Sequence, residues 1–122
     1  MFQVLEFEIA PQERLVIDDD LKAQYEGITG ITVWTPDIDK LRMVELELKI
    51  DQKEVFPQGF PAELFSCNTF RNVEDCTYKK EFPKNSKIEG SIFNGNITMD
   101  DPNNIDHVDH TVQLKLILFI KL

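Results

Sequence analysis

The chain has 122 residues, 42% of them hydrophobic and 29% charged, which suits a single globular domain with a buried core. Its formal net charge is −9, and so acidic a surface repels nucleic-acid phosphates and anionic lipid, so we expect neither partner. No stretch reaches the roughly 18 apolar residues of a membrane helix. Because Glu6 and Glu8 interrupt the N-terminal segment, we expect no secretory leader and a protein made in the cytoplasm.

Hydrophobic and polar residues alternate along most of the chain, which is the pattern of strands with one buried face. In the segment 42–50 the alternation runs over four apolar positions, from Val44 to Ile50. An Asn-Gly-Asn turn at 94–96 predicts a hairpin that pairs 88–93 with a short strand at 96–99. The predicted main strands cover residues 4–10, 14–17, 27–35, 42–50, 54–56, 62–66, 87–93 and 111–122.

The segment 19–27 alone has the features of a short helix, with Asp19 or Asp20 as a cap and Gly27 as a stop. Residues 67–82 have weak periodicity and are interpreted as a long loop with room for one short strand. About eight short strands separated by turns predict an all-β antiparallel sandwich or barrel with at most one short helix. We expect one domain over 1–122, in which residues 1–27 form an N-terminal strand or an arm.

The last predicted strand has apolar residues on both faces near its end. The set from Val112 to Ile120 is apolar throughout, while the other set turns from polar to apolar at Ile117 and Phe119. Burial on both faces is typical of a strand in the middle of a sheet. Either loops of this chain or another subunit cover Ile117 and Phe119, which makes these two residues the candidate partner interface.

The motif Asp-His-Val-Asp-His at 106–110 contains both histidines of the chain, and all four polar residues are metal-ligand types. In an extended chain, His107 and His110 would point to opposite faces, and a catalytic zinc needs three protein ligands. The acidic stretch before them lacks the spacing of an EF-hand calcium loop. We therefore interpret 106–110 as a polar loop and expect no metal, no cofactor and no catalytic residues; no GxSxG nucleophile motif occurs.

Two further motifs depend on the cellular compartment. Cys67 and Cys76 are expected to be free thiols in a reducing cytoplasm, although a disulfide between them is geometrically possible. Asn96-Ile97-Thr98 matches the N-glycosylation pattern, and without a leader we expect this match to be coincidental.

The order of segments, with the phrases KIDQKEVFPQGF (49–60) and SKIEGSI (86–92), resembles the single jelly-roll proteins of tailed-bacteriophage particles over residues 28–122. The resemblance implies a jelly-roll sandwich located in the virion, as a capsid, capsid-accessory, vertex or fibre-attachment protein. It also implies contacts with copies of itself or with other virion subunits, and it brings no catalytic residues.

Three functional hypotheses follow. The first is a non-enzymatic structural protein that acts through protein–protein contacts. The second is a carbohydrate- or ligand-binding β-sandwich module, which requires an exposed aromatic side chain, with Trp34 or Tyr78 as the candidate. The third is a small metal-dependent enzyme of cupin-like form, which requires at least three ligands from separate strands.

Overall fold

The computed structural model of the protein describes residues 1–36, 38–65 and 76–121. These ranges contain no α-helix, so the predicted all-β class is confirmed. The predicted helical turn at 19–27 is wrong, because Asp19 and Asp20 still belong to a strand and residues 21–26 form an irregular turn. Two short 3₁₀ segments cover Ile38–Met43 and Ala62–Phe65. The strands are β1 (Phe2–Ile9), β2 (Arg14–Asp20), β3 (Gly27–Trp34), β4 (Val44–Ile50), β5 (Lys53–Phe56), β6 (Thr77–Tyr78), β7 (Phe82–Pro83), β8 (Lys87–Asn94) and β9 (Val112–Lys121).

The strands form two antiparallel sheets with nested pairing. The first sheet has the order β1-β9-β3-β6, and β7 also pairs with β3. The second has the order β2-β8-β4-β5. The first strand therefore pairs with the last, β2 with β8, β3 with β6 and β7, and β4 with β5, as in a long hairpin folded over on itself. This nesting over two sheets is the topology of a jelly roll, which confirms the predicted fold class.

The core lies between the sheets and is built from the alternating apolar positions. Leu46 and Leu48 of β4 are fully buried on one side, and Leu116 and Leu118 of β9 are buried on the other. Along β4, the polar residues that alternate with these leucines point to solvent or are half-buried. The alternation at 42–50 therefore predicted both the strand and its inward face. Because β9 lies between β1 and β3, its predicted position in the middle of a sheet is also confirmed.

Two predicted strands are wrong. Residues 62–65 form a 3₁₀ segment instead of a strand, closed by a hydrogen bond from Leu64 N to the Pro61 carbonyl at 3.1 Å; residue 66 lies outside the described ranges. The hairpin at 94–96 does not form either. Residues 95–99 contain no strand, and the Asn94 side chain is buried and donates to the carbonyls of Ile9 and His110.

The predicted long loop at 67–82 is described only from residue 76 onward, where two short strands, β6 and β7, pair with β3. Cys76 is buried and disulfide-bonded, so the expected free thiol is wrong for this cysteine; Cys67 lies outside the described ranges. None of the described segments is a helix long and apolar enough to cross a membrane.

Candidate interaction surface

The outer face of the first sheet carries an apolar patch, which we define as Phe2, Val4, Ile117 and Phe119. The register of β1 with β9 places Phe2 opposite Phe119 and Val4 opposite Ile117. All four side chains point away from the core, because their sequence neighbours on both strands point inward. The two residues predicted as a partner interface therefore lie together on one surface, beside two residues of β1 that the sequence did not single out.

This patch is closed toward β3 and open toward β1. On the β3 side, Thr32 is only 1% exposed, and a Cβ at Gly30 would lie 3.6 Å from the Phe119 ring. Ile117 and Phe119 are half-buried, whereas Phe2 is 59% exposed at the β1 edge. The fold thus covers one side of Ile117 and Phe119 itself, and the uncovered apolar surface lies along β1.

The outer face of the second sheet is charged by comparison. Lys87 of β8 lies 3.7 Å from both Asp18 and Glu89, and all three side chains are well exposed. Exposed pairs of this kind contribute little to stability and are readily hydrated. The outer face of the second sheet therefore carries paired charges, whereas the first sheet carries this apolar patch.

Next to the apolar patch, the same outer face forms a polar cleft of about 410 Å³. Lys115 lies over it, with its Nζ 3.5 Å from a Glu6 carboxylate oxygen and 5.2 Å from the centre of the Trp34 ring. Glu8 and Gln113 complete the polar lining. Of the two aromatic residues proposed for ligand binding, Trp34 lies in this cleft, whereas Tyr78 packs against the core with its ring 6.2 Å from Phe56.

The histidine motif forms a polar loop whose side chains bond to the loop's own backbone. His107 Nδ1 lies 2.9 Å from the Met99 carbonyl. Thr111 donates to Asp109 from its hydroxyl at 2.6 Å and from its backbone N–H at 2.9 Å. These hydrogen bonds, with smaller contributions from the charges of Lys40 and His110, hold the pKa of Asp109 below its ordinary value. Across the described ranges no three His, Cys, Asp or Glu side chains are grouped so that they could hold a metal ion.

Two buried asparagines that the sequence did not single out organise this end of the molecule. Asn104 donates from Nδ2 to the carbonyls of Thr98 (3.0 Å) and Val108 (2.8 Å), across the loop. Asn94 donates to the carbonyls of Ile9 and His110. The only sequence signal was their occurrence in turn-like stretches, which does not distinguish a buried amide from an exposed one.

The glycosylation pattern falls on an amide that is already hydrogen-bonded. Asn96 Nδ2 donates to Asn94 Oδ1 at 2.8 Å and to the Lys40 carbonyl at 3.2 Å, and the residue is half-buried. A glycan on this nitrogen would replace one of the two N–H groups and break at least one of these bonds, so the folded protein does not favour Asn96 as an acceptor.

No family model, curated protein or solved structure matches the chain. Its function is therefore inferred from its own residues.

Proposed function

We propose that the protein is a non-catalytic structural component that assembles with copies of itself or with other subunits through the outer face of its first sheet. One observation carries this proposal. Phe2, Val4, Ile117 and Phe119 form a continuous apolar patch on one face, whereas the opposite outer face is charged. Contiguous apolar surface on a water-soluble domain is typical of a protein contact.

The energetics of such a contact favour this surface. Removing apolar area from water stabilises a complex by about 25 cal/mol for each Å² buried, and the half-exposed ring of Phe2 supplies the largest single increment. The net charge of −9 opposes close approach of two copies, and this repulsion is screened beyond about 8 Å at physiological salt. Assembly is therefore expected to strengthen as the salt concentration rises.

The resemblance to bacteriophage jelly-roll proteins supports a location in the virion. There the protein would be a capsid, capsid-accessory, vertex or fibre-attachment component. In a particle, subunits are present at high local concentration, so that individually weak contacts are sufficient. The nested sandwich supports the role, since each copy has its own hydrophobic core.

Ile117→Glu is expected to abolish self-association, because it places a carboxylate in the middle of the apolar patch. The measurement is sedimentation equilibrium at tens of micromolar, on the order of typical weak interfaces. The matched control is Val16→Glu, which adds the same charge at an outward position of the other sheet, where Val16 is 73% exposed. The wild type and the control should form the same oligomer. A wild type that stays monomeric under these conditions would rule out self-assembly.

A second candidate function is supported by the polar cleft. An indole ring beside two carboxylates and an amide is the combination that binds sugars, because the ring packs on C–H groups and the polar groups bond to hydroxyls. Trp34 is the only tryptophan, so its fluorescence reports this cleft alone. Titration with a panel of oligosaccharides should then give a saturable change, weakened about threefold to tenfold by Gln113→Ala. No saturable change at millimolar sugar would remove this candidate.

A further inference from the structure

Strand β1 is an open edge of the first sheet. In the described part of the chain it pairs with β9 alone, over eight residues and with no shift in register. The other edge strands are protected in ways that proteins commonly use against unwanted pairing. Strand β2 ends in three aspartates, β5 has four residues and begins with a lysine, and β6 and β7 have two residues each. Strand β1 is long and regular and contains neither proline nor lysine; its two charged residues, Glu6 and Glu8, lie in its second half, so the half from Phe2 to Leu5 is uncharged.

The hydrogen-bond pattern shows which backbone groups of β1 face this open edge. Ile120 N donates to the Met1 carbonyl at 3.1 Å, so the odd-numbered residues of β1 are the ones that bond to β9. The even-numbered residues direct their N–H and C=O groups away from β9, and these residues are Phe2, Val4, Glu6 and Glu8. They form a row of donors and acceptors that repeats about every 7 Å, which is two residues of a strand.

The side chains of these same four residues lie on the outer face. A strand added to this edge would therefore place its outward side chains directly beside Phe2, Val4, Glu6 and Glu8. On its other side, β1 already pairs with β9, whose residues indicate which side chains suit this row. Strand β9 places Gln113, Lys115, Ile117 and Phe119 opposite Glu8, Glu6, Val4 and Phe2. An incoming strand needs the same order of polar or basic residues followed by apolar ones.

The charges favour a basic segment over a second copy of this chain. Glu8 lies opposite the neutral amide of Gln113, and Glu6 shares a single lysine with the Trp34 ring. Two β1 strands paired with each other would bring no positive side chain to these glutamates, because β1 contains none. With a chain charge of −9, a basic partner is attracted both at long range and at the edge itself.

We propose that the free edge of β1 binds an extended segment of a partner protein in antiparallel orientation, with outward side chains in the order basic, basic, apolar, apolar. The proposal rests on the proposed function and names the partner chemistry of the same surface. Backbone hydrogen bonds to Phe2, Val4, Glu6 and Glu8 hold the segment, and the four side-chain contacts select it.

The probe is a fluorescently labelled, end-blocked peptide with the sequence Lys-Thr-Lys-Thr-Ile-Thr-Phe. Its binding to the protein is measured by fluorescence anisotropy at low salt. We expect a dissociation constant on the order of tens of micromolar. A peptide with glutamate in place of both lysines should bind about tenfold or more weakly. N-methylation of the second lysine and the isoleucine removes donors that face β1 and should abolish binding, whereas N-methylation of two threonines, whose N–H groups face away, should leave it intact.

Val4→Pro tests the edge from the protein side. The Val4 N–H faces the open edge and does not bond to β9, so proline is compatible with the fold but removes a donor from the row. Peptide binding should fall about tenfold, whereas the comparison variant Val4→Thr, which keeps the N–H and a branched side chain of similar size, should lose clearly less. If Val4→Pro does not fold, the N-methylated peptides make the same test on the unaltered protein.

The outcomes separate this inference from the proposed function. The inference is overturned if charge reversal and N-methylation of the peptide both leave its affinity unchanged. It is also overturned if Val4→Pro binds the peptide as tightly as the wild type does. If Val4→Pro loses self-association and the wild type does not bind the peptide, then β1 pairs two copies of this chain. That result also overturns the inference. If Ile117→Glu abolishes self-association and the wild type does not bind the peptide, the inference fails and the proposed function is retained. Specific peptide binding by a protein that stays monomeric supports the inference and removes only self-assembly.

Discussion

Gly90→Ala is expected to destabilise the protein by about 3 kcal/mol or more, which corresponds to a fall in Tm of about 10 °C or more for a domain of this size. Gly90 lies in β8, between β2 and β4. A Cβ built at this position would overlap the carbonyl oxygen of Glu47 and lie 2.9 Å from its carbonyl carbon. Because the obstacle is backbone in the middle of a sheet, no side chain can rotate away and the two strands would have to separate.

Thermal and urea unfolding, monitored by circular dichroism, measure this effect. The matched control is Ser91→Ala, on the same strand and one residue further, which removes only an exposed hydrogen bond from Arg14 to the Ser91 hydroxyl. The control should stay within about 0.5 kcal/mol of the wild type. A Gly90→Ala variant as stable as this control would mean that β8 and β4 do not approach as closely as described.

Asn94→Ala is expected to cost about 2–3 kcal/mol, the sum of several buried hydrogen bonds lost at once. The Asn94 side chain is fully buried and donates to the carbonyls of Ile9 and His110, both at 2.9 Å. Its Oδ1 accepts from the backbone N–H of Asn96 at 3.1 Å and from the Asn96 side chain at 2.8 Å. One amide thus joins the end of β1, the end of β8 and the start of β9, and alanine leaves these groups without their partner.

Unfolding measurements combined with amide hydrogen exchange test this prediction. Exchange should accelerate in the loop 95–111 as well as globally, because the loop loses its anchor to the sheets. Asn103→Ala is the matched control, since Asn103 is an exposed asparagine of the same loop, and it should change stability by less than about 0.5 kcal/mol. Equal effects of the two substitutions would contradict a structural role for the Asn94 amide.

The candidate surface was only partly predictable from the sequence. The change from polar to apolar residues on the outer side of the last strand indicated Ile117 and Phe119 as surface apolar residues, and both lie on the outer face. Phe2 and Val4 were not indicated, because nothing local shows that the first strand pairs with the last one, more than a hundred residues away. The part of the surface that is open to a partner therefore followed from the pairing and not from the pattern.

The sequence by itself determined the all-β class, most of the main strands and the inward face of each, since alternation of apolar and polar residues is a local record of which side meets the core. The tertiary structure decided the nested order of the strands and the burial of Asn94 in a stretch that has the composition of a hairpin turn. It also decided that β1, which pairs with β9 alone in the described part of the chain, is an edge strand beside the apolar patch. Pairing partners and buried polar contacts depend on groups distant in sequence, and a local pattern contains no information about them.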